Sequence, residues 1–198
     1  MTSNASITIQ NAVVVSANSG SNSTYVWGGQ LEASSYPTSY IPTTSATTTR
    51  IADTASKTGI SSLINSPEGV LYAEISALAN DGTSRAISIN DGSNNNRVQF
   101  TYNTTNNQIG FFVSVGGAAQ VLASYGITDT TIFSKFAIKW GVNDFALWYN
   151  GTEVITDLVG ISFGSGVLNT LDFKRIGGEP FYGNCQNLMV FPSALTDD

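Results

Sequence analysis

FSKFAIKWGVNDFALWYNGTEV, Phe133 to Val154, is the stretch whose reading decides the fold. Setting Val142-Asn143 as a two-residue turn folds it into a hairpin. Trp140 then faces Phe145, Ile138 faces Leu147 and Phe136 faces Tyr149 on one side, while Lys139 faces Ala146 and Ala137 faces Trp148 on the other. Side chains alternate between the two faces of a strand, so the first set makes a wholly apolar or aromatic surface. A slip of one residue would scatter those rings over both faces, and the sorting therefore argues for this register. Trp140 is expected in a core and Trp148 on the outside.

The same period-2 alternation recurs outward from this hairpin, with no long 3.6-residue pattern. Strands are expected at Ser6 to Val15, Thr24 to Glu32, Gly69 to Ala79, Arg85 to Asn90, Arg97 to Tyr102, Gln108 to Val115, Gln120 to Ser124, Phe133 to Trp140, Asp144 to Asn150, Glu153 to Thr156, Thr170 to Ile176 and Phe181 to Phe191. Asp81-Gly82, Asp91-Gly92 and Asn150-Gly151 sit where one strand ends and the next begins, as hairpin turns require. The chain reads as all-β, an antiparallel two-sheet sandwich. Between the second and third strands runs a Ser/Thr/Pro-rich stretch in which Pro37, Pro42 and Pro67 discourage pairing. The expected organisation is two N-terminal strands in 1–32, with the end of an upstream β module as one reading of them, an extended connector in 33–66 and the sandwich in 67–198.

Composition narrows the function. Charged residues make up 11 % of the 198 residues, against about 25 % in an average protein, so the surface is polar but mostly uncharged. A net charge of −6 offers no basic stripe for nucleic acid or anionic lipid. No apolar run is long enough to insert in a bilayer, and MTSNASITIQ has neither the basic nor the apolar region of a signal peptide. The chain has no histidine, which excludes Ser-His and Cys-His nucleophile systems and His-ligated metals. Cys185 stands alone, rules out an internal disulfide, and by its neighbours is expected to be a buried strand thiol.

Hydroxyl-rich neutral ligands suit such a surface best. Trp148, bordered by alanines with Lys139 near it, offers a flat platform for a sugar ring; a covering by the connector or the first strands, and exposure without a role, are the alternatives. Tyr102, Tyr182 and Phe112 are further ring candidates. The loop NDGSNNNR, Asn90 to Arg97, gathers in Asn94, Asn95 and Arg97 the amides and guanidinium that bond sugar hydroxyls, although turns use the same residues. Oxygen ligands for Ca²⁺ exist there, but the EF-hand spacing fails for lack of Gly at its sixth place. No cofactor is assigned, and calcium stays open.

Taken in order, GVLYAEI, KFAIKWGVNDFALWYNGTEV and the closing FYGNCQNLMVFPSALTDD resemble the concanavalin A-like, laminin G-like lectin sandwich over residues 67 to 198. The preceding WGGQLEASSYPTSYIPT, Trp27 to Thr43, resembles the exit strand and connector before such domains in bacteriophage tail-fibre and other virion proteins. The resemblance implies a jelly-roll module that binds glycans or polysaccharides at a virion surface or outside the cell, beside other subunits of an assembly, with a homo-oligomer as one arrangement left open. It equally admits a structural or decoration module without a sugar ligand. Glucanases of the same fold cut glycans with clustered carboxylates, and hydrolysis needs two suitably spaced acids. No E-x-D-x-E run occurs here, so no catalytic residue is assigned and a non-enzymatic role is expected.

Overall fold

The computed structural model describes residues 30, 31, 39–43, 45–49 and 55–194. The chain divides into two compact units, Met1–Ile51 and Ala52–Asp198. In the first, Gln30 makes two side-chain hydrogen bonds: its side-chain carbonyl accepts the Ile41 N–H at 2.6 Å and its amide donates to the Ser39 carbonyl at 3.3 Å. The expected strand 6–15 lies outside the described residues, as does 24–32 apart from Gln30 and Leu31, which are not in a strand.

The second unit is the sandwich. Its elements are β1 (Ser56–Thr58), a 3-10 turn (Ser61–Leu63), β2 (Gly69–Ala77), β3 (Arg85–Asn90), β4 (Arg97–Tyr102), β5 (Gln108–Val115), β6 (Ala118–Gly126), β7 (Ser134–Trp140), β8 (Phe145–Tyr149), β9 (Thr152–Asp157), β10 (Thr170–Asp172), β11 (Lys174–Arg175), β12 (Gly178–Pro180) and β13 (Gly183–Phe191). One sheet has the order β1-β10-β3-β4-β5-β6, the other β13-β2-β7-β8-β9, and β11 and β12 form a separate hairpin. All pairings are antiparallel, and the two main sheets form a jelly-roll-like sandwich.

The deciding hairpin is β7–β8, and its register pairs Phe136 with Tyr149, Ala137 with Trp148, Ile138 with Leu147 and Lys139 with Ala146, as the sequence implies. Its inward rings join a chain of aromatic contacts across the core: Phe136 meets Phe100 at 6.0 Å between centroids, Tyr149 at 5.6 Å and Tyr102 at 6.2 Å. Trp140 is 0 % exposed, and its indole N–H donates to the Ser66 carbonyl at 2.9 Å. That bond satisfies a donor that burial would otherwise leave unpaired. Gly69 sits opposite Trp140 because nothing larger fits: a Cβ there would stand 2.6 Å from the indole and 2.7 Å from the Phe191 carbonyl.

Several expectations are corrected. The sandwich takes in more of the chain than 67–198, because β1 lies within the stretch expected as connector and adds an edge strand to the six-stranded sheet by pairing with β10. Ile64 and Ser66 are buried as well. Sequence offered no warning, since SKT has no apolar alternation and pairs through its backbone alone. The expected strand 170–176 breaks at Phe173, whose ring packs edge-on against Phe181, so that β10 stays in the sheet and β11 leaves it. Cys185 is exposed, not buried. A bulge between Cys185 and Asn187 interrupts the alternation of β13 at that point.

Candidate functional site

The strand β4 reads R-V-Q-F-T-Y, and its alternation sends Val98, Phe100 and Tyr102 into the core and Arg97, Gln99 and Thr101 to the outer face of the six-stranded sheet. Neighbouring strands extend that outer face. Gln99 pairs across to Ser88 on one side and Phe112 on the other, and Phe112 pairs with Leu122; the next row runs Ala86, Thr101, Gly110, Ser124. Ala86, Ser88 and Asn90 are fully buried although they face outward. Contacts of the β11–β12 hairpin with β3 explain this: the Ser88 hydroxyl donates to the Lys174 carbonyl at 2.8 Å, and the Asn94 amide donates to the Ile176 carbonyl at 2.8 Å.

A covered strand beside uncovered ones makes a groove. Its volume is about 260 Å³, its floor is β4 to β6, and Arg175 and Glu179 stand in it from the hairpin. Gly110 lies between Thr101 and Ser124 in this row, and the Asn103 side chain takes the space a Cβ there would need, its amide donating to the Ser124 hydroxyl at 2.8 Å. Leu122, 78 % exposed, also lines the groove.

Polar groups in the groove are held but not exhausted. Gln99 is 4 % exposed; its amide nitrogen donates to the Thr101 hydroxyl, while its carbonyl oxygen is buried without a hydrogen-bond partner. A buried unpaired acceptor costs about 1–3 kcal/mol, and because this oxygen is itself shut off from solvent, a ligand donor reaches it only after the Gln99 side chain turns toward the groove. Arg97 lies over the Phe112 ring at 4.3 Å and donates one terminal nitrogen to the Asn94 backbone carbonyl at 2.9 Å and to its side-chain oxygen at 2.5 Å. Its Nε is buried and unpaired. Burial holds the Arg97 guanidinium below the ordinary arginine range, nearby Arg175 pushes it the same way, and Glu179 opposes both. Arg175 in turn donates to the Glu179 carboxylate at 2.8 Å. Glu179 is held there by a left-handed backbone, φ 57°, which a residue with a Cβ adopts only at some cost.

The residues expected from sequence separate into three places. Arg97 lines the groove. Asn94 and Asn95 lie in its flanking loop, but Asn94 bonds Arg97 and Ile176, and the Asn95 backbone carbonyl accepts from Ser114 and Gly117. Tyr102 is in the core, 2 % exposed, with its hydroxyl donating to the Ile75 carbonyl at 3.2 Å, so its ring has no face for a ligand. Phe112 is half-buried beneath Arg97. Tyr182 is half-buried in the link between β12 and β13.

Trp148 and Lys139 lie on the outer face of the other sheet. Trp148 is half-buried, with the Lys139 ammonium 5.4 Å from its ring. Lys139 is 2 % exposed and pairs with the Asp144 carboxylate at 2.7 Å, so its charge is committed within the protein. Gln99, Thr101, Arg175, Glu179 and Leu122 were not anticipated; the alternation around Arg97 was the signal for the first two. Among the described residues there is no group of three or more Asp, Glu, Cys or His placed to hold a metal ion.

No protein-family model matches this chain. No curated protein matches it either. Solved structures do share its fold. A Ruminococcus gnavus IT-sialidase CBM40 bound to α2,6-sialyllactose superposes with a TM-score of 0.57 at 14 % identity, over 72 % of this chain and 94 % of that one. The chain shares their jelly-roll-like β-sandwich fold. The NanB sialidase of Streptococcus pneumoniae gives a TM-score of 0.55 at 15 % identity over 72 % of this chain, and the leech intramolecular trans-sialidase 0.53 at 18 % over 67 %. The match spans 25 % and 22 % of those two longer chains.

Proposed function

We propose that this chain is a non-catalytic glycan-binding module and that its site is the groove between the β11–β12 hairpin and the outer face of β4 to β6. The observation that carries the reading is the groove itself, which sets the Gln99 amide, the Phe112 ring, the Arg97 and Arg175 guanidiniums and the Ser124 hydroxyl beside one another. Sugars meet such a set well, since their hydroxyls both donate and accept and their C–H faces pack on apolar side chains such as Leu122. The CBM40 similarity supports the class of ligand through its fold. The tail-fibre-like connector in the sequence supports display at a virion surface or outside the cell, next to other subunits of the assembly. A site this shallow binds weakly, with Kd on the order of 1 mM, about −4 kcal/mol, and gains strength by multivalent display.

The test is titration of a panel of neutral and charged oligosaccharides into the whole chain, followed by NMR or calorimetry, for the wild type, Gln99→Leu and Trp148→Ala. Binding that Gln99→Leu abolishes and Trp148→Ala spares supports the groove. Binding lost only in Trp148→Ala moves the site to the other sheet, and no binding at millimolar sugar overturns the reading. A second reading, a structural module without a ligand, draws on Met189 and Phe191, which are exposed on the outer face of the five-stranded sheet.

A further inference from the structure

The glycan-binding reading leaves the kind of sugar open, and the groove's charges narrow it. The chain carries 14 acidic residues and only 8 Lys and Arg, yet two of its arginines line this one groove. Arg97, Arg175 and Glu179 are the charged residues among its lining, so the groove is net positive on a protein of net charge −6. Arg175 disfavours the charge on Arg97 and Glu179 favours it, so a single carboxylate serves both guanidiniums of the groove. Arg175 has its Glu179, at 2.8 Å. Arg97 has no carboxylate bonded to it in the groove: its bonds go to the neutral Asn94, its face to Phe112, and its buried Nε to nothing.

We infer that the groove selects sugars bearing an anionic group, a carboxylate or a sulfate, which Arg97 and Arg175 hold jointly, and that Glu179 is the internal competitor that sets the selectivity. This rests on the groove being the glycan site. The hairpin geometry favours the second half of the inference. Glu179 is kept beside Arg175 by a left-handed backbone at the start of β12's return, next to Gly177 with φ 88° and Gly178. Residues in sparsely populated backbone regions cluster at binding sites, where the surroundings hold them in place. Arg175 keeps 42 % of its side chain exposed, so it can turn from Glu179 to a ligand without rebuilding the core. Gln99 then supplies the neutral part of recognition, its carbonyl accepting from a sugar hydroxyl or amide N–H.

The experiment titrates the whole chain with lactose, 3′-sialyllactose and 3′-sulfated lactose at low and high salt. The two charged sugars separate carboxylate from sulfate as the source of the anion. Charged lactose is expected to bind at least about 10-fold more tightly than lactose, as a charge-assisted hydrogen bond allows, and added salt should narrow that gap. Arg175→Gln should remove about 10-fold for the charged sugar and so narrow or abolish its margin over lactose. Because Arg97 also braces its loop, Arg97→Gln is read only alongside Arg175→Gln and a folding check by circular dichroism. Glu179→Gln should tighten the charged sugar several-fold.

Equal binding of lactose and its charged forms, or tighter charged binding that survives Arg175→Gln, overturns the inference. Weaker charged binding in Glu179→Gln overturns the competitor role. Lactose and its charged forms binding equally, in a manner lost with Gln99→Leu, would retain the groove as a glycan site while refuting its anion selectivity. Absence of any binding, charged or neutral, refutes both.

Discussion

Replacing Trp140 by Phe tests the orientation of the β7–β8 ribbon, on which the placing of every outward residue depends. Trp140 is fully buried and bonds the Ser66 carbonyl, which lies in the segment leading into β2. Removing that donor leaves a buried carbonyl short of a partner, costing about 1–3 kcal/mol. Exchanging an indole for a phenyl in a closed site adds about 1 kcal/mol for the space left behind. A loss of about 3 kcal/mol lowers Tm by roughly 6–12 °C for a domain of this size. The matched substitution Trp148→Phe, at a half-buried outer position, should cost less than about 1 kcal/mol. Urea denaturation followed by far-UV circular dichroism gives both numbers on one scale. If Trp148→Phe proves as costly as Trp140→Phe, or if Trp140→Phe costs under about 1 kcal/mol, the inward and outward faces have been assigned the wrong way round.

Gly69→Ala places a methyl 2.6 Å from the Trp140 ring and 2.7 Å from the Phe191 carbonyl, so a loss of about 1–3 kcal/mol from overpacking is expected in the same urea assay. Asp91 gives a pH signature: burial raises its carboxyl, but hydrogen bonds from Ser93 and Asn96 outweigh that and hold it below the ordinary aspartate value. A carboxyl lowered on folding contributes stability that is present above its unfolded pKa and is lost as pH falls through the folded one. Denaturation midpoints measured from pH 6 down to pH 2 should therefore fall through the acid range, and less steeply in Asp91→Asn; equal slopes would remove Asp91 from the acid response.

The hairpin was legible because its signal is local: rings at every second position on two strands joined by a short turn fix one another's register. The outer face of β4 was half legible. Arg97, Gln99 and Thr101 were placed on one side by the same alternation, but nothing in RVQFTY says whether that side meets water or a neighbour. The neighbour comes from far along the chain, through Ser88 to Lys174 and Asn94 to Ile176, contacts 86 and 82 residues apart. Gly177-Gly178 was the available clue that the strand ending at Arg175 turns back at once. Tyr102 failed as a site residue for the opposite reason. Its position on the alternation was the inward one, shared with Val98 and Phe100, and its hydroxyl suggested a polar task that the Ile75 carbonyl fulfils inside the core.

A sandwich exposes two broad outer faces, and this one makes them unequal. On the six-stranded sheet the β11–β12 hairpin covers β3 and stops there, so Ser88 and Asn90 are sealed with their partners while Gln99, one strand over, is sealed without one for its carbonyl. That boundary is where polar groups are stripped of water beside an open groove, so that a side-chain turn brings them to a ligand where a hydrogen bond is worth most. On the five-stranded sheet the comparable charge, Lys139, is already neutralised by Asp144. A ring alone, such as Trp148, offers stacking without direction, whereas the groove joins Phe112, a half-satisfied guanidinium and an unpaired acceptor within one strand's width. The difference between the two faces is thus made by where a short hairpin ends, and lengthening β12 to cover β4 would be expected to close the site without disturbing the core.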